Sequence, residues 1–294
     1  MEELQTITLK NDFLSIMIHR HGAELIHLNC GDVEYLWQAD PAFWKRHSPV
    51  LFPVVGSVWE GKFRMDGREY AMSQHGFARD MDFDLISANN SEAVFELCSS
   101  EETLAKFPRA FALQIGYRLR GREVEVHWCV KNLSAEQTLD FQIGAHPAFY
   151  YRTTDDTSVK GYFSFDRTAG LHYQLIGEKG CADVAHDYPL MLDPEGFLPI
   201  TATTFDRDAL IVDQSQVQRV TLHDSQKRPC LQLKFTAPLV GLWAPSSSSP
   251  FVCIEPWYGR CDRVGFTGEF CDRDWVNHLA PETEFNGGYT IEIL

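Results

Sequence analysis

The stretch FALQIGYRLRGREVEVHWCVK, residues 111–131, carries the pattern that decides the fold. Val124, Val126, Trp128 and Val130 alternate with Glu123, Glu125 and His127. Arg120-Gly121-Arg122 interrupts two such runs, Phe111 to Leu119 and Glu123 to Lys131. Period-two alternation puts one set on an apolar face and the other in water, which predicts a half-buried antiparallel hairpin. The same reading extends outward. Thr6 to Leu9 and Leu14 to Ile18 alternate across a turn at Asn11-Asp12, and Ala93 to Leu97 alternates as well. Later runs are Val217 to Leu222, Cys230 to Phe235, Phe251 to Glu255 and Tyr289 to Leu294. A further hairpin is predicted to turn at Asp66-Gly67. Helical periodicity is scarce: Glu101 to Phe107, capped by Ser99 or Ser100, with weaker cases at Pro41 to Arg46 and Asp272 to Leu279. Many strands with turns between them predict an all-β chain, a large β-sandwich or barrel. Ser246 to Ser249, between two prolines, reads as a surface loop, too short for a domain linker. One domain spanning residues 1–294 is expected.

Composition limits the partners. The chain has 41 acidic and 26 basic residues, a formal net charge of −15. A nucleic-acid backbone or an anionic membrane surface calls for a basic face, so neither is expected. The start, MEELQTITLK, lacks a basic segment followed by an apolar one and does not read as a signal peptide. No apolar run is long enough for a membrane helix. The 8 cysteines include no C-x-x-C pair, which fits free thiols in a reducing cytosol better than zinc or a disulfide framework. A cytoplasmic location is the expectation.

Three stretches concentrate chemistry. The first, residues 48–80, ends in His75-Gly76-Phe77-Ala78-Arg79, an imidazole and a guanidinium around a glycine. That set suits a polar ligand, since arginine offers a planar donor fork and glycine lets backbone approach closely; the alternative is an arginine bridging strand ends. The second and third place His146 and Glu255 each directly before a proline and after an apolar strand-like run. A proline biases the residue before it toward extended backbone. A carboxylate at such a position is desolvated, which raises its pKa and improves it as a base; the alternative is a strand end facing water. Trp37, Trp44, Trp243 and Trp257 are candidates for a stacking platform, and equally for core. His19-Arg20-His21-Gly22-Ala23-Glu24 looks something like a cupin metal motif, but Glu24 is one residue too close and no fourth ligand is visible, so no metal is expected. Asp206, Arg207 and Asp208 form a polar cluster before Ala209-Leu210-Ile211-Val212, which also fits a solvated turn.

Taken in order, LFPVVG, QHGFARD, GAHPAF, FDRDALIVD and FVCIEPWYG resemble the aldose 1-epimerase (mutarotase) family, near its glucose-6-phosphate 1-epimerase relatives. The resemblance runs from about Leu4 to the C-terminal strand. It implies a galactose mutarotase-like fold, a large antiparallel β-supersandwich. It also implies cofactor-free interconversion of the α and β anomers of an aldohexose. By motif position Glu255 is the base on the anomeric hydroxyl and His146 the acid on the ring oxygen. His75, Arg79 and Asp208 match hydroxyl-binding positions, and Trp257 is expected nearby. Relatives often carry an arginine after the glycine of LFPxxG, where this chain has Ser57; Arg46 or Arg79 is a candidate substitute. The open alternatives are a hexose 6-phosphate as substrate and a non-catalytic sugar-binding protein on the same pocket. A glycosidase ranks last, because Glu255 has no evident second carboxylate partner. The mixed donors and acceptors favour an unphosphorylated sugar, since phosphate wants donors only.

Overall fold

The computed structural model describes residues 5–152 and 158–294. Met1 to Leu4, where the acidic start and the edge of the resemblance fall, lie outside the described residues.

The hairpin read from the sequence forms: Phe111–Arg120 pairs antiparallel with Glu123–Asn132. Val124, Val126, Trp128 and Val130 are buried, and His127 is exposed. The hairpin sits inside a nine-stranded sheet whose order runs Phe197–Thr201, Val159–Phe165, Arg219–His223, Pro229–Phe235, Glu284–Ile293, Glu123–Asn132, Phe111–Arg120, Glu92–Cys98 and Asp84–Ala88. An eight-stranded sheet runs Ala182–Pro189, His172–Ile176, Leu210–Val212, Leu239–Trp243, Phe251–Tyr258, Ile143–Ala145 and Val50–Leu51, with Ala148–Tyr150 also paired to Phe251–Tyr258. All these named pairings are antiparallel. This is the β-supersandwich that the strand pattern and the resemblance imply.

The core lies between the two large sheets. Val252, Ile254 and Leu242 from one share a cluster with Val124, Trp128 and Ile291 from the other. Trp128 meets Tyr258 edge-on at 6.3 Å between ring centroids. Strand Phe251–Tyr258 is buried at all positions but the last, which is intermediate. Its even positions, Val252 and Ile254, feed the main core, each contributing about 1.5–3 kcal/mol. Its odd positions point to the opposite face of the sheet. There Cys253 joins a small cluster with Trp37, Ala148 and Phe251, and Trp257 joins another with Leu51, Val55, Ile211 and Leu239. Glu255 lies on that face between them, and apolar burial on the strand's other side offsets the cost of burying it.

Local predictions hold at several points. Glu101–Lys106 is a helix with a capping box: the Ser100 hydroxyl accepts from the Thr103 amide and the Thr103 hydroxyl from the Ser100 amide. Lys62–Met65 and Arg68–Ala71 form the hairpin turning at Asp66-Gly67. The serine-rich loop joins Leu239–Trp243 to Phe251–Tyr258. Two weaker helix expectations are corrected. Pro41 to Arg46 makes a single turn, in which the Phe43 and Trp44 amides both donate to the Asp40 carbonyl. Asp272 to Leu279 is broken by Trp275 at φ +60°, and Asn277–Leu279 pairs as a strand with Leu139–Phe141. Both segments are too short for helix propensity to outweigh these local bonds.

Candidate active site

The register of one ladder assembles the site. Gly144 pairs with Trp257 and Ile143 with Tyr258. Beyond a break, Ala148 pairs with Cys253 and Phe149 with Val252. The register is the same on both sides of the break, so His146, inside it, stands opposite Glu255. The His146 Nε2 to Glu255 Oε2 distance is 3.4 Å. The two prolines explain the interruption, because neither Pro147 nor Pro256 has an N–H to donate to a ladder. The backbone is satisfied otherwise: the His146 amide donates to Pro49 and the Ile254 amide to Pro147. On the strand to the other side, Gly241 faces Glu255.

Both catalytic candidates are deeply buried, His146 at 7% and Glu255 at 1% exposure. Burial pushes the Glu255 carboxyl well above its ordinary range, and the nearby Asp208 charge adds to the rise. The adjacent Trp257 indole N–H, just short of hydrogen-bond geometry, opposes that rise. Burial pushes His146 down to about 3, with the Arg79 charge as the next cause. The consequence concerns the pair as a unit. The raised carboxyl and the lowered imidazole both shift the pair toward the form with the proton on Glu255. His146 Nδ1 and Glu255 Oε2 are buried and make no hydrogen bond of proper geometry, although Oε2 lies 3.4 Å from His146 Nε2.

A cleft of about 410 Å³ opens above this pair. His75, Arg79, Asp208 and Trp257 all line it, together with Trp44 and Trp243. His75 is held by the LFPVVG segment: its amide donates to the Gly56 carbonyl, and the Gly56 amide donates to His75 Nδ1 at 3.0 Å. Accepting at Nδ1 leaves the ring proton on Nε2. Burial, and then the charges His146 and Arg79 present to it, hold His75 well below its ordinary value, so it stays a neutral donor. Arg79 donates to the Gln74 carbonyl at 2.6 Å, while its buried Nε makes no hydrogen bond and lies 3.8 Å from Asp80 Oδ2. Burial and the Arg46 charge lower Arg79 to about 10, which leaves it cationic at neutral pH. Asp208 sits at φ +71°, its carboxylate fixed by the Ala209 amide at 2.7 Å. Trp44 stacks on the His146 ring at 4.7 Å and Trp243 meets it edge-on at 5.3 Å.

Trp257 lies flat across the sheet because two neighbours are glycine. A Cβ on Gly241 would stand 2.5 Å from its Cη2 and Cζ2, and one on Gly144 would stand 2.7 Å from its Cδ1.

Other candidates go elsewhere. Arg46 is engaged by Asp80 at 2.8 Å and does not line the cleft. Ser57 lies against Gly180, its hydroxyl 2.8 Å from where a Cβ there would be. His19, His21 and Glu24 do not converge: His21 Nδ1 pairs with Asp82 at 2.7 Å, while the Glu24 carboxylate accepts the His47 and Ser48 amides. Among the described residues, donor atoms of His146, Cys253 and Glu255 lie within 4.8 Å of one another, the one grouping with metal-ligand chemistry. Burial raises the Cys253 thiol well above its usual value. Cys253 and Gln74 escaped the sequence reading. The signal for Cys253 was present, since two residues before Glu255 on a strand means the same face.

Comparison with known proteins places the chain. The family model described as aldose 1-epimerase matches residues 5–271. The LacX protein of Lactococcus lactis is 30% identical over 98% of this chain and 99% of its own length. A galactose mutarotase related enzyme from Lactobacillus acidophilus superposes with a TM-score of 0.89 at 29% identity, covering 98% of this chain and 97% of its own. A galactose mutarotase-like protein from Lactobacillus casei gives 0.91 at 27% identity, covering 98% and 100%.

Proposed function

The chain belongs to the aldose 1-epimerase family, and from that premise we propose that it interconverts the α and β anomers of an aldose by acid/base ring opening and closure. The observation that carries the reading is the buried His146–Glu255 pair at 3.4 Å at the floor of a polar cleft. The reaction needs that inventory: one group to take a proton and one to give a proton, with no net gain. Transfer of the shared proton from carboxyl to imidazole gives carboxylate and imidazolium without changing the charge of the pair. Glu255 then takes the proton from the C1 hydroxyl as the C1–O5 bond breaks. The electron pair of that bond goes to O5, which His146 protonates, and O1 becomes the aldehyde oxygen. Rotation about C1–C2 presents the other face, and on closure His146 takes the proton back from O5 as O5 attacks C1, while Glu255 returns its proton to O1.

The remaining wall residues suit a sugar. His75 Nε2–H and the Arg79 guanidinium donate to hydroxyls, and Asp208 accepts from them. Arg46, which a phosphate would need, is occupied by Asp80, and this supports the unphosphorylated substrate. The test is anomer exchange followed by polarimetry or NMR on free and 6-phosphorylated glucose and galactose. Glu255→Gln and His146→Ala are each expected to lose roughly 10²–10⁴-fold in kcat with the fold intact. Wild-type rates in either variant would refute its role.

A further inference from the structure

The His146 ring has to carry a positive charge during turnover, and most of its surroundings oppose that charge. Burial disfavours the imidazolium, and the Arg79 and Arg46 guanidiniums add to the effect. Three aromatic rings box the imidazole. Trp243 meets it edge-on at 5.3 Å with 87° between the planes, and His75 at 5.5 Å with 83°. Of the three, only Trp44 lies close to parallel, 4.7 Å away between centroids at 26°. An indole face is negative, and it attracts a cation that lies within about 6 Å of its centre, more strongly where water is excluded.

Trp44 is not free to turn away. Its amide donates to the Asp40 carbonyl at 3.0 Å, and its carbonyl accepts the Trp37 indole N–H at 2.8 Å. Its ring lies at 29° to that of Phe251, with centroids 6.0 Å apart, and Phe251 stacks on Trp37 at 4.4 Å. The turn that replaces a helix at Pro41 to Arg46 therefore sets one indole face against the imidazole. That face is covered by His146 and is not open to a sugar.

We propose that Trp44 is a positioning residue for the proton transfer: its indole face orients the His146 ring and stabilises the imidazolium that forms before ring opening and again on closure. This rests on the acid role given to His146 in the anomer-exchange reading above. With the proton on Glu255 the imidazole is neutral, and the stacked pair gains only ordinary ring contact. Once His146 takes the proton, the cation–π attraction is added. An interaction that strengthens only after the substrate is bound raises kcat rather than tightening substrate binding.

The test replaces Trp44 alone, in the full chain, by tryptophans carrying increasing numbers of ring fluorines, installed at that codon by a suppressor tRNA. Fluorine withdraws charge from the indole face and leaves its shape nearly unchanged, so a purely structural role would not respond. Anomer exchange on glucose and galactose is the readout. Log kcat is expected to fall stepwise with each fluorine, by about tenfold in total, the equivalent of ~1.4 kcal/mol. KM is expected to stay constant, because no ground-state contact with the sugar changes. The same series at Trp275, which is partly exposed, is expected to leave kcat unchanged. A kcat independent of fluorination overturns the proposal. A rise in KM at constant kcat overturns it too, and assigns the ring to the sugar. If the wild type exchanges no anomers, or His146→Ala exchanges them at the wild-type rate, the anomer-exchange reading or its acid assignment fails and the proposal falls with it. A flat series in an enzyme that His146→Ala inactivates refutes the role of Trp44 alone.

Discussion

Gly241→Ala tests whether the flat seat of Trp257 is what shapes the cleft. Gly241 pairs with Glu255 in the ladder, and an added Cβ would stand 2.5 Å from two carbons of the Trp257 indole. Ordinary carbon–carbon contact begins near ~3.5 Å, so the shortfall is about 1 Å. Neither partner yields easily. Gly241 is fixed by neighbours on both sides, in Leu210–Val212 and Phe251–Tyr258, and the indole is already against Gly144 on the next strand. Overpacking of this kind costs about 1–3 kcal/mol. The indole has one open direction, into the cleft, where it would occupy substrate space. Urea denaturation is expected to show that loss of stability, and kcat/KM is expected to fall by about tenfold or more with Glu255 and His146 intact. Gly116→Ala is the control. Gly116 also lies in a central strand, but its Cβ would have neighbours no closer than 3.9 Å. It is expected to be neutral or to stabilise by about 0.5–1 kcal/mol, because glycine weakens strands. Equal effects of the two substitutions, or wild-type kinetics in Gly241→Ala, would refute the reasoning.

Further predictions follow from the charges. With His146 lowered to about 3, kcat/KM corrected for the spontaneous reaction is expected to show no inflection near 6.5 on the acid side; a profile falling through 6.5 would mean an ordinary imidazole. The alkaline limb belongs to the raised Glu255 carboxyl, and since Asp208 contributes to raising it, Asp208→Asn is expected to move that limb to lower pH. Arg79→Ala is expected to raise KM for a sugar more than the exposed Arg122→Ala does, measured on the same substrate series. Asp262→Ala strips the partner from Arg273, a pair at 2.5 Å with both side chains buried, and is expected to cost about 3–5 kcal/mol by chemical denaturation. Activity is expected to survive exhaustive chelation, because the proposed reaction is proton transfer alone; loss restored by one added metal would count against this.

The sequence by itself determined the strands. Alternation is a local property, and Val124 to Val130 show it without reference to any other residue. It also marked His146 and Glu255 as unusual, because a pre-proline position at the end of an apolar run is visible in a few letters. It could not bring them together: their contact depends on a ladder register shared by two short strands on either side of a break. Protonation was likewise tertiary. Desolvation of Glu255 comes from clusters around Cys253 and Trp257 whose members are scattered along the chain. The same holds for the arginines: the sequence offers both Arg46 and Arg79 as donors, and in the fold both pair with Asp80, yet only Arg79 lies on the wall of the cleft. Pairing within a strand follows from period two, but distance between strands follows from register and packing, and only the folded chain fixes those.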